Sequence, residues 1–155
     1  MRLTALATLV ALGAVACGGD KKPADTATQN PAATTPTTSA APSGPVVEVQ
    51  MTGNGSTQAA FSPAALTIAP GTTVRFINAS GGPHNISFYA DSIPAGAAAV
   101  LNAAMANRLD ALQGAFVSGP NDHYDVSFAG APKGVYKGFC LPHAALGMKI
   151  AITVK

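Results

Sequence analysis

Along residues 46–155, large apolar side chains fall in short runs. Most alternate with polar positions, and small turn-forming residues separate the runs. Alternation with period two places one face in a core and the other in solvent. The pattern predicts strands at 46–52, 66–68, 73–78, 85–89, 124–128, 135–139 and 149–154. Turn signals lie between them at Gly53-Asn54-Gly55, Pro70-Gly71, Ser80-Gly81-Gly82-Pro83, Gly119-Pro120-Asn121-Asp122 and Pro132-Lys133-Gly134. Strands this short and this evenly spaced predict an all-β fold, a small β-sandwich or a barrel, and a sheet closed on itself also removes exposed edges. One segment departs from period two. Residues 97–112 lack turn residues and place Leu101, Met105, Leu109 and Leu112 near one helical face, with Asn102, Asn107, Arg108 and Asp110 elsewhere. This predicts one amphipathic helix, inserted in a connection and packed on the sandwich.

The first 45 residues follow other rules. Met1-Arg2 gives a positive start, and a small, apolar run from Leu3 to Ala16 ends at Cys17. That run falls short of the roughly 20 apolar residues of a membrane span and reads as a signal peptide, residues 1–16. Ala14-Val15-Ala16-Cys17 resembles a bacterial lipobox, which would make Cys17 the lipidated first residue. It also satisfies the small-x-small rule of ordinary signal peptidase, which would leave Cys17 free. From Asp20 to Pro45 no large apolar residue occurs, and Pro23, Pro31, Pro36, Pro42 and Pro45 interrupt any regular ladder. Residues 17–45 therefore read as a disordered, lipid-anchored linker that reaches at most roughly 90–100 Å. The remainder, residues 46–155, is expected to form one folded domain outside the cytoplasm, on the periplasmic side.

Charge narrows the function. Nine Lys+Arg stand against seven Asp+Glu in 155 residues, a net charge of +2, without the basic clustering that nucleic-acid binding needs. Two cysteines exclude both a disulfide scaffold and a four-cysteine zinc site. Gly-rich phosphate loops are absent as well.

The candidate chemistry sits after the strand at 135–139, where Cys140, His143 and Met148 follow one another as Cys-x2-His-x4-Met. Pro142 and Gly147 favour a tight loop that can aim all three at one point. A second imidazole, His84, stands at a strand edge in Gly81-Gly82-Pro83-His84-Asn85. Two imidazoles, a thiolate and a weak thioether are the donor set of a blue-copper electron-transfer site. Met51 and Met105 read as packing residues, and His123 as a solvated side chain in a turn.

Three blocks make residues 46–155 resemble the cupredoxins of the plastocyanin/amicyanin/pseudoazurin kind. The first is Phe61-Ser62-Pro63 followed by Leu66-Thr67-Ile68-Ala69-Pro70-Gly71-Thr72-Thr73-Val74-Arg75-Phe76-Ile77-Asn78. The second is Pro83-His84-Asn85-Ile86-Ser87-Phe88 with Asp91-Ser92-Ile93-Pro94-Ala95-Gly96 after it. The third, and most specific, is Tyr136-x-x-Phe139-Cys140-x-Pro142-His143-x-x-x-Gly147-Met148. The resemblance implies copper ligands His84, Cys140, His143 and Met148, with the Asn85 N–H bonded to the thiolate. It also implies a Greek-key β-sandwich, and a monomer that shuttles single electrons between transient redox partners, a cytochrome or a membrane electron-transfer complex. Ile150 stands where many relatives have Gly, the connection from Gly96 to Ser118 is enlarged, and no dense acidic patch occurs.

Two other functions compete with the carrier. A copper enzyme needs a second copper site, normally with a histidine beside the loop cysteine, unless this chain is an accessory subunit and another subunit supplies that copper. Cys140 is flanked instead by Phe139 and Leu141. Copper delivery or storage favours Met-rich or multi-Cys clusters, and four scattered Met residues do not form one.

Overall fold

The computed structural model describes residues 44–155; the signal segment, Cys17 and the linker as far as residue 43 lie outside the described residues. Eight strands run in chain order as β1 (Val46–Gly53), β2 (Ala59–Ser62), β3 (Ala65–Ile68), β4 (Thr73–Asn78), β5 (Ser87–Phe88), β6 (His123–Ser127), β7 (Gly134–Phe139) and β8 (Lys149–Val154). One helix, α1 (Ala97–Ala104), lies between β5 and β6. Two four-stranded sheets form, ordered β2-β1-β4-β6 and β3-β8-β7-β5. β1 pairs parallel with β4 and β3 parallel with β8; the remaining pairs are antiparallel. The chain between β1 and β4 therefore visits the opposite sheet before returning, as the predicted sandwich requires.

The inward face of each strand supplies the core. Val49, Met51, Val74, Phe76 and Val126 come from one sheet, and Phe88, Tyr136, Ile150, Ile152 and Val154 from the other; all are buried. Burial stabilises each such side chain by about 1.5–3 kcal/mol. Phe128 meets both Phe88 and Tyr136 edge-on, at ring-centroid distances of 6.3 and 5.2 Å. Gly138 is required by close approach: a Cβ there would come within 2.9 Å of Ile86 Cδ1 and of the Ser87 carbonyl oxygen. The missing side chain lets β5 lie tight against β7, next to Cys140.

The structure corrects three details of the predicted elements. β2 was not predicted, because Ala59-Ala60-Phe61-Ser62 carries one large apolar residue and no alternation. The strand expected at 85–89 contracts to Ser87–Phe88, since only these pair with β7, opposite Phe139 and Gly138. The helix expected over 97–112 ends at Ala104, with Met105 already extended at φ −91° and ψ 100°. Beyond it, the Arg108 guanidinium donates to the Asn102 carbonyl at 2.8 Å, and the Leu112 N–H donates to Asn102 Oδ1 at 2.7 Å. These bonds replace the helical ladder. Leu101, Met105 and Leu112 are buried as expected, but Leu109 is 49 % exposed. His123 is exposed as expected, though it opens β6 instead of occupying a turn. Among the described residues, no helix is long and apolar enough to cross a membrane.

Candidate metal centre

Three segments meet at one end of the sandwich. Ser80 to His84 turns out of β4, the β7–β8 loop carries Cys140 to Met148, and Gly114 to Val117 runs alongside. His84 pairs with Val117 through reciprocal backbone bonds, His84 N–H to Val117 O at 3.0 Å and Val117 N–H to His84 O at 2.9 Å. The β7–β8 loop closes on itself. The Cys140 N–H donates to Met148 O at 3.1 Å, the His143 N–H to Cys140 O at 3.2 Å, and the Met148 N–H to His143 O at 3.3 Å. One 3-10 turn, Ala144–Leu146, ends at Gly147, whose φ of 77° suits glycine and lets the chain re-enter β8.

These segments bring His84, Cys140 and His143 together, the one such His/Cys/Asp/Glu group among the described residues. Their donor atoms lie within 4.8 Å of one another, and all three residues are buried. Cys140 Sγ stands 3.7 Å from His84 Nδ1 and 3.5 Å from His143 Nδ1. Met148 lies at the end of the same loop, fully buried. His143 is only 5 % exposed. Around it Pro83, Leu141, Pro142, Ala144 and Leu146 are exposed.

The protonation chemistry suits a metal. His84 Nε2 lies 2.8 Å from the Ser80 carbonyl oxygen. A carbonyl oxygen only accepts, so Nε2 carries the proton and Nδ1 keeps a free lone pair. Burial, with the charge of His84 second, pushes the His143 imidazole below its usual value and so favours the neutral form a metal binds. Burial also pushes the Cys140 thiol up, while the backbone N–H groups of Asn85 and His143 pull it back. A bound cation would complete the deprotonation. Spacing agrees as well. Metal–N near 2.0 Å and metal–S near 2.3 Å, at angles of 110–120°, separate N from S by about 3.5–3.7 Å.

Asn85 ties the three segments into one frame. Its N–H points at Cys140 Sγ at 3.5 Å, and its Oδ1 accepts from the Leu141 N–H at 2.8 Å. Its Nδ2 donates to Gly114 O at 3.1 Å and to Ser87 Oγ at 3.2 Å. The Asn85 N–H was expected from resemblance; Ser80, Ser87, Gly114 and Val117 were not. Three of these four act through the main chain, which leaves no signal in side-chain pattern. Met51 and Met105 are buried in the core, and His123 does not join the cluster.

Comparison with known proteins agrees with this geometry. The family model for copper-binding proteins of the plastocyanin/azurin family matches residues 47–155. Plastocyanin A/B of Petroselinum crispum is 38 % identical over 94 residues, which cover 61 % of this chain and 86 % of that one. Plastocyanin of Scenedesmus fuscus is 39 % identical over 95 residues, with the same coverage of 61 % and 86 %. Among solved structures, oxidized plastocyanin from Dryopteris crassirhizoma superposes with a TM-score of 0.54 at 28 % identity, over 70 % of this chain and all of that one. Sandwich, three-donor cluster and family match converge: the chain is a cupredoxin, a member of the plastocyanin/azurin family of copper-binding proteins.

Proposed function

We propose that His84, Cys140, His143 and Met148 hold one type 1 copper ion, and that the protein carries single electrons between redox partners outside the cytoplasm. The convergence of two imidazole Nδ1 atoms on one thiol sulfur, at 3.7 and 3.5 Å in a buried pocket, carries this reading. When bound, copper supplies a one-electron Cu(II)/Cu(I) couple, which soft sulfur and borderline nitrogen donors accommodate in both states. The residues themselves keep reorganisation small. The His84 ring is pinned through Ser80, the loop is closed by its own backbone bonds, and Asn85 fixes both to the neighbouring segments. The Asn85 N–H at Sγ withdraws charge from the thiolate and so favours the reduced state.

His143 is the electron port in this reading. Its ring edge lies inside an exposed rim of Pro83, Leu141, Pro142, Ala144 and Leu146. A small apolar rim without charge suits brief encounters with a cytochrome or a membrane electron-transfer complex, which bind over little area and separate fast. The protein would act as a monomer. Export is supported by the apolar run Leu3 to Ala16, and tethering by the lipobox-like Ala14-Val15-Ala16-Cys17. An optical spectrum of the copper-loaded protein tests the carrier reading. An intense visible thiolate-to-Cu(II) band that bleaches and returns reversibly with reductant and oxidant is expected. A protein that binds copper only as colourless Cu(I) would overturn it in favour of copper delivery.

A further inference from the structure

The two layers of the sandwich carry opposite charge. Burial alternates along β7 and β8, so Val135, Lys137 and Phe139 point outward from one strand and Lys149, Ala151 and Thr153 from the other. Their register sets Lys137 beside Ala151 and Phe139 beside Lys149. Lys133 and Lys155 stand one residue beyond the strands, and both are exposed. All four lysines of the described residues thus lie on β7 and β8 or at their ends, spread over about 20 Å at the rise of an extended strand. Asp91 is the one acidic side chain that shares a hollow with Lys137 and Lys149. The other sheet carries the row Glu48, Arg75, Asp125 across β1, β4 and β6, and there Arg75 is neutralised by a two-pronged bond to Asp125 at 2.9 Å.

We propose that the outer face of β8 and β7 is a membrane-contact face that lies against anionic phospholipid headgroups. Charge complementarity selects this occupant, and the make-up of the face selects a bilayer over a protein. A protein docking site concentrates its energy in a buried apolar or aromatic centre. Between these lysines stand small residues, Ala65, Thr67, Ala151 and Thr153, with Val135 the one large aliphatic side chain. Phe139 is half-buried and stacked on Tyr89 at 4.5 Å, not free to anchor a partner. An anionic leaflet needs no such centre, because each lysine near its surface strengthens binding about fivefold. The opposite sheet, net negative, turns away. Cys140 to Met148 lie at the end of β7 and β8, so the His143 rim stays at the border of the contact, open to partners that move along the membrane. This face is independent of the copper assignment.

Amine acetylation of the whole exported protein, read by mass spectrometry, tests it on vesicles of phosphatidylglycerol and on vesicles of phosphatidylcholine. Lys133, Lys137, Lys149 and Lys155 should react severalfold more slowly on the anionic vesicles, and 0.5 M salt should erase the difference, since the Debye length then falls to about 4 Å. Lys137→Gln with Lys149→Gln should weaken the contact about 25-fold, which exposes Lys133 and Lys155 to the reagent while the visible copper band persists. Equal labelling on both vesicles would overturn the proposal. So would protection that survives the double substitution but vanishes in Lys21→Gln with Lys22→Gln, or protection conferred only by a soluble acidic protein.

Discussion

Cys140 stands at the centre of the site, and substitution there gives the sharpest test at the residue scale. Cys140→Ser removes the thiolate, so the visible band should disappear while the far-ultraviolet circular dichroism of the sandwich is unchanged; strong colour in that variant would sink the assignment. The axial position can be tested in the same way. A thioether is soft and uncharged and so favours Cu(I), whereas an amide oxygen is harder. Met148→Gln should therefore lower the reduction potential, read by voltammetry, with the colour retained. Met105→Leu should move neither, because Met105 is buried beside the helix and not in the copper loop. If Met148→Gln left potential and spectrum alone, another group would be axial. Much of the cluster was legible in sequence, because Cys-x2-His and the Pro-His-Asn segment present a thiol and two imidazoles in a pattern suited to a metal. The tautomer of His84 was not, since the acceptor that sets it is the Ser80 main-chain oxygen, placed by a turn.

Elements whose boundaries come from local pattern were read well, and those set by distant partners were not. β4 and β8 alternate cleanly and appear where period two puts them. The end of α1 depends on side chains that reach back: Asn102 accepts the Leu112 N–H, and Tyr124 Oη donates to the Ala106 carbonyl at 2.7 Å. Helical periodicity contains neither bond, so the predicted helix ran eight residues too far, to 112 instead of 104. Asn102→Ala leaves the partly buried Leu112 N–H without its acceptor and should cost about 1–3 kcal/mol in urea unfolding. Leu109→Ala should stay within about 0.5 kcal/mol, because Leu109 is largely in solvent. A large loss at Leu109 with none at Asn102 would restore the longer helix.

For the whole molecule, the buried tyrosines couple stability to pH. Tyr124 packs beneath the connection that follows α1, and burial raises its phenol from the ordinary 10.0 to about 12, with the Ala115 amide and Arg108 offsetting part of the rise. The folded state therefore holds its proton more tightly than the unfolded chain does. Below pH 10 the phenol is protonated in both states and the contribution is complete; between pH 10 and about 12 only the unfolded chain loses the proton, and stability falls. Two units correspond to roughly 2–3 kcal/mol. Burial raises Tyr136 as well, so it acts in the same direction. Urea midpoints taken from pH 8 to 11.5 should drop steeply above pH 10 in the natural chain. Tyr124→Phe gives up the bond to Ala106, at a cost of about 1 kcal/mol near neutral pH, but its midpoint should decline less above pH 10, leaving only the Tyr136 share. Parallel decline of the two proteins would show that Tyr124 ionises as freely folded as unfolded, and that the connection after α1 admits water to the phenol.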